Sequence, residues 1–230
     1  SANVWSSRRN LLFFHGAICW QTYDKVRGLA ALARKCRAHH GFLDHYSFGV
    51  RWEIYRQFHA EPGFHLRATD LLPAPPHVSL DDEMLRTIFC LCPSGTGWGM
   101  RVFHSVALGC IPVIIQRDAA NAFPPVLQAF EGLLLDWSAL SVRLEAADVP
   151  QLPTILRRLA ANSSALQEKR HALAREWTRL LWREALPADV GQYLRAAPDA
   201  FDSLMQSIWL RQRFGLRGDG AGWKPGRTGA

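Results

Sequence analysis

The sequence predicts an α/β, Rossmann-like three-layer domain with C-terminal helices. Two short apolar runs, 88–92 and 110–115, are typical of parallel strands buried on both faces. Between them lie a glycine-rich loop, 94–99, and a helical segment, 100–108, that ends at Gly109. Strand, loop, helix and strand in this order form a β-α-β unit, whose ligand is expected at the carboxyl ends of the strands.

The composition is that of a folded domain. The chain has 230 residues, 48% of them hydrophobic, and 27 Lys+Arg against 20 Asp+Glu give a net charge of +7. These values exclude disorder, collagen and a coiled coil as descriptions of the whole chain. The scattered basic excess points to an anionic ligand rather than to nucleic acid, because Arg and aromatic residues do not repeat as a stacking platform would require. The longest apolar stretch, 11–20, is too short to span a membrane, and no signal peptide precedes it.

The segment before the β-α-β unit contains three further predicted elements. Residues 11–14 form a strand that ends at His15-Gly16, and Ser79 begins a short helix that reaches about residue 86. The region 40–76 allows only a short strand or helix near 50–58. A helix between the first strand and the region 40–76 is indicated by apolar residues at helical spacing, namely Val26, Leu29, Ala30, Leu32 and Ala33. The chain begins at Ser1, without an initiator Met and ten residues before a strand, which indicates a piece of something longer.

The rest of the chain reads as two short strands and then helices. The strands are predicted at 133–137 and 141–144, and helices after Asp148, over 164–182 and over 198–214. The last helix is predicted to have an apolar face formed by Phe201, Leu204, Met205, Ile208 and Trp209. The resulting domain prediction is a Rossmann-like domain at 1–160, C-terminal helices packing on it at 161–214 and a flexible Gly-rich tail at 215–230.

The five cysteines do not predict a metal site. Cys90 and Cys92 form a C-x-C pattern inside an apolar run, which favours two buried thiols over a zinc ligand pair. Because the count is odd, reduced thiols and one disulfide with spare thiols both stay open, and cysteine usage does not decide the compartment.

The glycine-rich loop carries the predicted chemistry. Glycines let a ligand approach the backbone, and the helix after the loop offers unpaired N–H groups to a phosphate or diphosphate. An arginine in the first turn of a helix opposes the helix dipole unless an anion joins it. The spacing matches neither a Walker motif nor a dinucleotide fingerprint, and a plain tight turn is the alternative. The predicted ligand-binding residues here are Ser94, Gly95, Gly97, Trp98, Gly99 and Arg101.

The order of several motifs resembles the exostosin family of glycosyltransferases, glycosyltransferase family 47. The motifs run from the first strand through Phe89-Cys-Leu-Cys-Pro-Ser-Gly, Arg101 and Gly109-Cys-Ile-Pro-Val-Ile-Ile to Leu135-Asp-Trp, and the resemblance extends from about residue 9 to about 182. It implies a GT-B enzyme that transfers a sugar from a nucleotide sugar, usually a UDP-sugar, to a glycan acceptor with inversion and without an essential metal or other cofactor. This chain would be the donor-binding half, without the N-terminal acceptor domain. Family members are type II Golgi membrane proteins with lumenal catalytic domains, so the anchor would lie upstream of Ser1.

The resemblance also implies roles for single residues. Arg101 matches the arginine expected to contact the donor diphosphate, and Gly16 matches a glycine that would let a phosphate approach. The family's ribose-binding glutamate is replaced by His104, which accepts one hydroxyl hydrogen bond where a carboxylate grips two. No general base is identified; His15, at the end of the first strand, is the candidate.

Two other functions fit parts of the sequence. A dehydrogenase would need an acidic ribose-binding residue about twenty positions after a GxGxxG pattern, which is missing here. A catalytically degenerate nucleotide-binding scaffold fits the replacement at His104. The donor sugar and the acceptor stay open.

Overall fold

A computed structural model describes residues 8–19, 25–38, 47–74, 77–93, 99–116, 128–186, 188–194 and 197–215. Within this part of the chain, residues up to 116 together with 138–175 form one compact unit, and residues 128–137 together with those from 176 onward form another. The predicted site residues Ser94, Gly95, Gly97 and Trp98 lie outside the described residues, as does the predicted tail beyond residue 215.

A parallel sheet is the centre of the first unit. Of the strands in the described residues, five pair in the order β3-β1-β5-β6-β7, and β2 and β4 form a separate parallel pair. The apolar runs form these strands because both sheet faces are covered, and Leu12, Phe89 and Ile111 are all fully buried. The strands are β1 (Asn10–Gly16), β2 (Val26–Arg27), β3 (Phe64–Ala68), β4 (Leu71–Leu72), β5 (Thr87–Leu91), β6 (Ile111–Gln116) and β7 (Val142–Glu145).

Helices connect these strands and flank the sheet, which confirms the α/β Rossmann-like prediction with C-terminal helices. Contacts of α2, α3, α4 and α6 with the strands cover the sheet. None of the helices in the described ranges is long and apolar enough to cross a membrane. The helices are α1 (Leu29–Ala38), α2 (Val50–Phe58), α3 (Leu80–Leu85), α4 (Met100–Ala107), α5 (Trp137–Leu140), α6 (Leu152–Ala161), α7 (Ser163–Glu176), α8 (Ala188–Gly191) and α9 (Ala200–Phe214).

The strand order creates a crevice at β1. The chain leaves β1 for β3 on one side and then crosses to β5 on the other, so the direction of winding reverses between β1 and β5. In open parallel sheets, ligands bind outside the carboxyl ends of the strands at such a reversal. The ends that meet here are the His15-Gly16 end of β1 and the segment after β5 that leads into α4.

Several element predictions were wrong in detail. Residues 133–137 form no strand: 132–134 are turns, and Trp137 begins α5. Val26 belongs to β2 rather than to the predicted helix, because the positive φ of Gly28, 78°, separates the strand from α1. The helix predicted over 164–182 ends at Glu176 and continues as a short 3₁₀ turn. The region 40–76 holds α2, β3 and β4, of which only α2 was indicated.

The cysteine prediction was wrong for Cys90. Cys90 on β5 forms a disulfide with Cys110, directly before β6, since these neighbouring strands bring the two Cα atoms within 5.7 Å. Cys19 and Cys36 form a second disulfide, which ties the segment after β1 to α1. Cys92 is a buried thiol as predicted, and burial raises its pKa to about 11.

In the second unit, α9 shows which of its faces packs. Its small residues Ala200, Ser203 and Ser207 are buried, whereas the predicted apolar stripe is 40–58% exposed. The helix begins at Asp199, whose carboxylate accepts a hydrogen bond from the N–H of Asp202, and Asp199 also accepts one from the N–H of Arg183. The spacing in the sequence therefore identified the helix, but the large apolar side chains are not the face that packs within this unit.

Candidate functional site

Arg101 and the end of β1 meet at the crevice. The Nη2 atom of Arg101, in the first turn of α4, donates a hydrogen bond to the carbonyl oxygen of His15 at 2.7 Å. Its guanidinium lies over the ring of Phe14, 4.7 Å from the ring centroid. Phe14 is 1% exposed, so the guanidinium packs on a ring that is fixed in the core of the sheet. Two sequence candidates that are 86 residues apart are thereby brought into contact.

Gly16 fits this contact because it has no side chain. A Cβ added at Gly16 would lie 3.1 Å from Nη2 of Arg101 and 3.2 Å from Cζ of Phe14, closer than ordinary carbon contacts. A side chain at this position would therefore require Arg101 or Phe14 to shift by a few tenths of an ångström. Gly16 was predicted as a place where a phosphate approaches the backbone; the structure adds that it also makes room for the Arg101 side chain.

The N-terminus of α4 opens toward the same edge of the sheet. Gly99 occupies the N-cap position and, because it has no side chain, does not cap the first N–H groups of the helix. The first N–H groups of a helix have no partner within the helix and favour an anion. This N-terminus and the Arg101 guanidinium together present positive charge outside the carboxyl end of β5.

His15 lies in a positive environment. Partial burial, and next the charges of Arg101 and Arg67, lower its pKa, while the Glu83 carboxylate acts in the opposite direction. The imidazole is therefore neutral at neutral pH. Its Nδ1 atom is buried and has no hydrogen-bond partner among the described residues.

His104 points to another helix. Its Nε2 atom lies 2.7 Å from Oδ1 of Asp81, in the first turn of α3, and the side chains of His104 and Asp81 are 39% and 62% exposed. His104, which the resemblance predicts at the place of a ribose-binding glutamate, is thus paired with a carboxylate supplied by a different helix.

Two residues near the site were missed by sequence reasoning. The carboxylate of Asp70 accepts hydrogen bonds from the N–H groups of Ile18 and Cys19, at 3.0–3.2 Å. It therefore fixes the backbone segment that follows β1. Arg51 donates to the carbonyl oxygen of Ala17 at 3.0 Å and lies 5.5 Å from the Phe14 ring centroid. Both residues fall in the region 40–76, where no periodic pattern singles them out.

A known protein family matches most of this chain. The exostosin GT47 domain matches residues 2–159, more than half of the chain. The chain belongs to the exostosin GT47 family. The resemblance inferred from the motifs is thereby confirmed.

Curated plant proteins resemble this GT47 domain. A probable glucuronosyltransferase of Oryza sativa subsp. japonica is 34% identical over 125 residues, which cover 54% of this chain and 26% of the relative. The probable glucuronoxylan glucuronosyltransferase IRX7 of Arabidopsis thaliana is 34% identical over 124 residues, or 53% and 25% of the two chains. Another probable glucuronosyltransferase of Oryza sativa subsp. japonica is 28% identical over 165 residues, or 71% and 34%. The chain spans between a quarter and a third of the length of such relatives.

Proposed function

We propose that this chain is the donor-binding half of an inverting, exostosin-type glycosyltransferase that transfers a sugar from a UDP-sugar to a glycan acceptor. One observation carries the proposal: Arg101 is held at the carboxyl end of β1, beside Gly16 and the N-terminus of α4, where the winding of the sheet reverses. Fixed donors and positive charge at this place are what a nucleotide diphosphate requires.

The same residues supply the electrostatics of transfer. When the sugar departs from the nucleotide, negative charge grows on the diphosphate, and a preorganised cation stabilises it there. Arg101 takes this role and Arg51 adds a second positive charge nearby. With protein cations in that position, the proposed reaction uses no essential metal.

His15 is the residue we propose as the general base. An acceptor hydroxyl must lose its proton as it attacks the sugar, and a neutral imidazole accepts that proton. The lowered pKa keeps His15 in the neutral form at neutral pH.

The whole protein is proposed to combine this half with an N-terminal acceptor domain in the lumen of the Golgi, on a membrane anchor. The limited share of the relatives' length that the chain spans supports a further domain. The Cys19–Cys36 and Cys90–Cys110 disulfides support an oxidising compartment such as the secretory pathway.

Calorimetric titration of the full-length protein with UDP tests the proposal, with GDP and NAD as controls for nucleotide selectivity. Arg101→Ala should weaken UDP binding by about 2 kcal/mol, or roughly 30-fold, because charge-assisted hydrogen bonds are lost. Arg86→Ala removes an exposed arginine at the end of α3 and serves as the matched control. Since Arg101 also contacts Phe14 and His15, circular dichroism melting must show that the variant is folded. Unchanged UDP affinity in folded Arg101→Ala would contradict the proposed site.

A second function, a nucleotide-binding scaffold without transfer activity, is favoured by the pairing of His104 with Asp81. UDP binding with no turnover of any UDP-sugar by the full-length protein would select it. Restoring the carboxylate with His104→Glu should then tighten UDP binding if ribose contacts are what the scaffold lost.

A further inference from the structure

A pair of charged side chains lies beside His15 on one face of the sheet. His15 on β1 and Arg67 on β3 are register partners in the parallel pairing of these strands. Partnered residues of parallel strands project from the same face, and neighbouring strands lie about 4.8 Å apart, so the two side chains are adjacent. Glu83 of α3 lies against this face, because its Oε1 atom is 3.4 Å from Nη2 of Arg67.

The ion pair between Arg67 and Glu83 is largely shielded from water, since its side chains are 23% and 15% exposed. The other carboxylate oxygen of Glu83 lies 3.4 Å from Nδ1 of His65, which shares the face of Arg67 on β3. Removing charges from water costs free energy, and an apolar pair of similar volume would often stabilise a fold at least as well. The charges therefore call for another reason, and their neighbour on this face is His15.

Several elements contribute the charged and titratable groups around His15. Facing it or lining the same cavity are Arg67 of β3, Glu83 of α3, Arg101 of α4, His77 before α3 and Lys25 before β2. Burial lowers the pKa of His15 most, and the charges of Arg101 and Arg67 lower it further. The Glu83 carboxylate raises it. A donor diphosphate bound to Arg101 would offset the charge of that arginine, whereas Arg67 and Glu83 keep their effect with or without the donor.

We propose that Arg67, held by Glu83, is a positioning residue for His15: its charge keeps the imidazole unprotonated, and Glu83 limits how strongly it does so. The inference rests on the proposed function, because it gives His15 the role of general base. It adds two residues on other elements that act on transfer only through His15.

The two opposite charges suit the two halves of the proposed step. The acceptor oxygen bonds to the anomeric carbon, its proton passes to His15, and the bond from that carbon to UDP breaks with its electron pair left on UDP. Before the step His15 must be neutral, which Arg67 favours. During the step it becomes a cation, which Glu83 favours. A base is most effective when its pKa lies near the working pH, so an arginine without the carboxylate would make His15 too weak a base.

Deuterium exchange at the Cε1 carbon of each histidine, resolved by peptide mass spectrometry over a series of pH values, measures the proton affinity of His15 in the full-length protein without requiring activity. Arg67→Gln should raise this affinity about threefold and Glu83→Gln should lower it about threefold, as expected for unit charges several ångströms apart in a water-like medium. The double variant should return it to within about twofold of wild type. Opposite signs are the decisive result, because a general loosening of the structure would move both single variants in the same direction.

The matched controls are Arg86→Gln and Asp82→Asn, which remove exposed charges from α3 and its end. Both should leave the proton affinity of His15 within about 1.5-fold of wild type, because salt screens exposed charges. Circular dichroism must show that every variant is folded. Shifts of the same sign in folded Arg67→Gln and Glu83→Gln, or no shift in either, would overturn the inference while leaving UDP binding at Arg101 intact.

The pH dependence of sugar transfer tests the link to catalysis. The acid limb of the kcat/KM profile should move to higher pH in Arg67→Gln and to lower pH in Glu83→Gln. An acid limb that stays in place while the proton affinity of His15 moves would overturn the proposed base, and the inference with it. Absence of UDP binding by the wild-type protein would instead overturn the proposed donor site.

Discussion

Asp70 offers a quantitative test of how the turn after β1 is held. Asp70 is 2% exposed, and the residues whose N–H groups donate hydrogen bonds to its carboxylate, Ile18 and Cys19, are 1% and 0% exposed. Asp70→Ala would leave two buried N–H groups without an acceptor. A hydrogen bond to a charged group contributes about 1.5–3 kcal/mol, so the two together amount to about 3–6 kcal/mol.

We expect the lower end of that range. A water molecule that enters the space left by the carboxylate can satisfy one of the two N–H groups, so we expect a loss of about 3 kcal/mol in the free energy of unfolding. For a chain of this size the melting temperature should fall by about 6–12 °C. Asp70→Asn keeps one acceptor oxygen but turns an NH₂ group toward the other N–H, and should cost about half as much.

Urea unfolding monitored by circular dichroism measures the free energy of unfolding of both variants. The control is Glu168→Ala on the exposed face of α7, whose free energy of unfolding should stay within about 0.5 kcal/mol of wild type. A loss below about 1 kcal/mol for Asp70→Ala would refute the reasoning, because the N–H groups would then not depend on the carboxylate.

Three further predictions concern the site and the thiol. Gly16→Ala should lower UDP affinity by calorimetry, because the new methyl group would lie 3.1 Å from Nη2 of Arg101; an unchanged affinity would show that the arginine can yield. The lowered pKa of His15 means that it binds fewer protons in the folded than in the unfolded state, so wild-type stability should fall as pH drops below about 6.5, and His15→Asn should lose less stability over the same interval in urea titrations. The Cys92 thiol, with its pKa raised to about 11 by burial, should not react with a thiol reagent near neutral pH in the native protein, but should react once per chain in denaturant without reductant; fast native reaction would contradict its burial.

The sequence identified the central strands and the edge strand β7, but it missed the edge strand β3. The run at 88–92 is apolar at every position because β5 is central in the sheet, and its pattern is visible without any partner. In contrast, β3 is an edge strand in which only its first and last residues, Phe64 and Ala68, are buried, and so neither an apolar run nor a clean alternation marks it.

Contacts at the site could be predicted from the sequence where the topology of parallel strands requires them. Contacts between residues far apart in the sequence could not be predicted. The meeting of Arg101 with the end of β1 follows from two parallel strands whose carboxyl ends share an edge. The hydrogen bonds that the N–H groups of Ile18 and Cys19 donate to Asp70 cross 51–52 residues of sequence, and the Cys90–Cys110 disulfide depends on β5 and β6 being neighbours. Such contacts leave no local pattern, because each partner alone looks like an ordinary polar or apolar residue.

The position of β1 in the sheet sets the order in which this domain can be made. Its apolar residues Leu12 to Phe14 leave the ribosome before those of β3 and β5, yet β1 has β3 on one side and β5 on the other. One edge of this strand therefore stays open during synthesis until Leu91 has emerged, and long-range parallel pairing is slow. We expect nascent chains that stop before β5 to be held by chaperones or to aggregate, whereas chains that stop after β6 lack, of the strands described for this sheet, the edge strand β7.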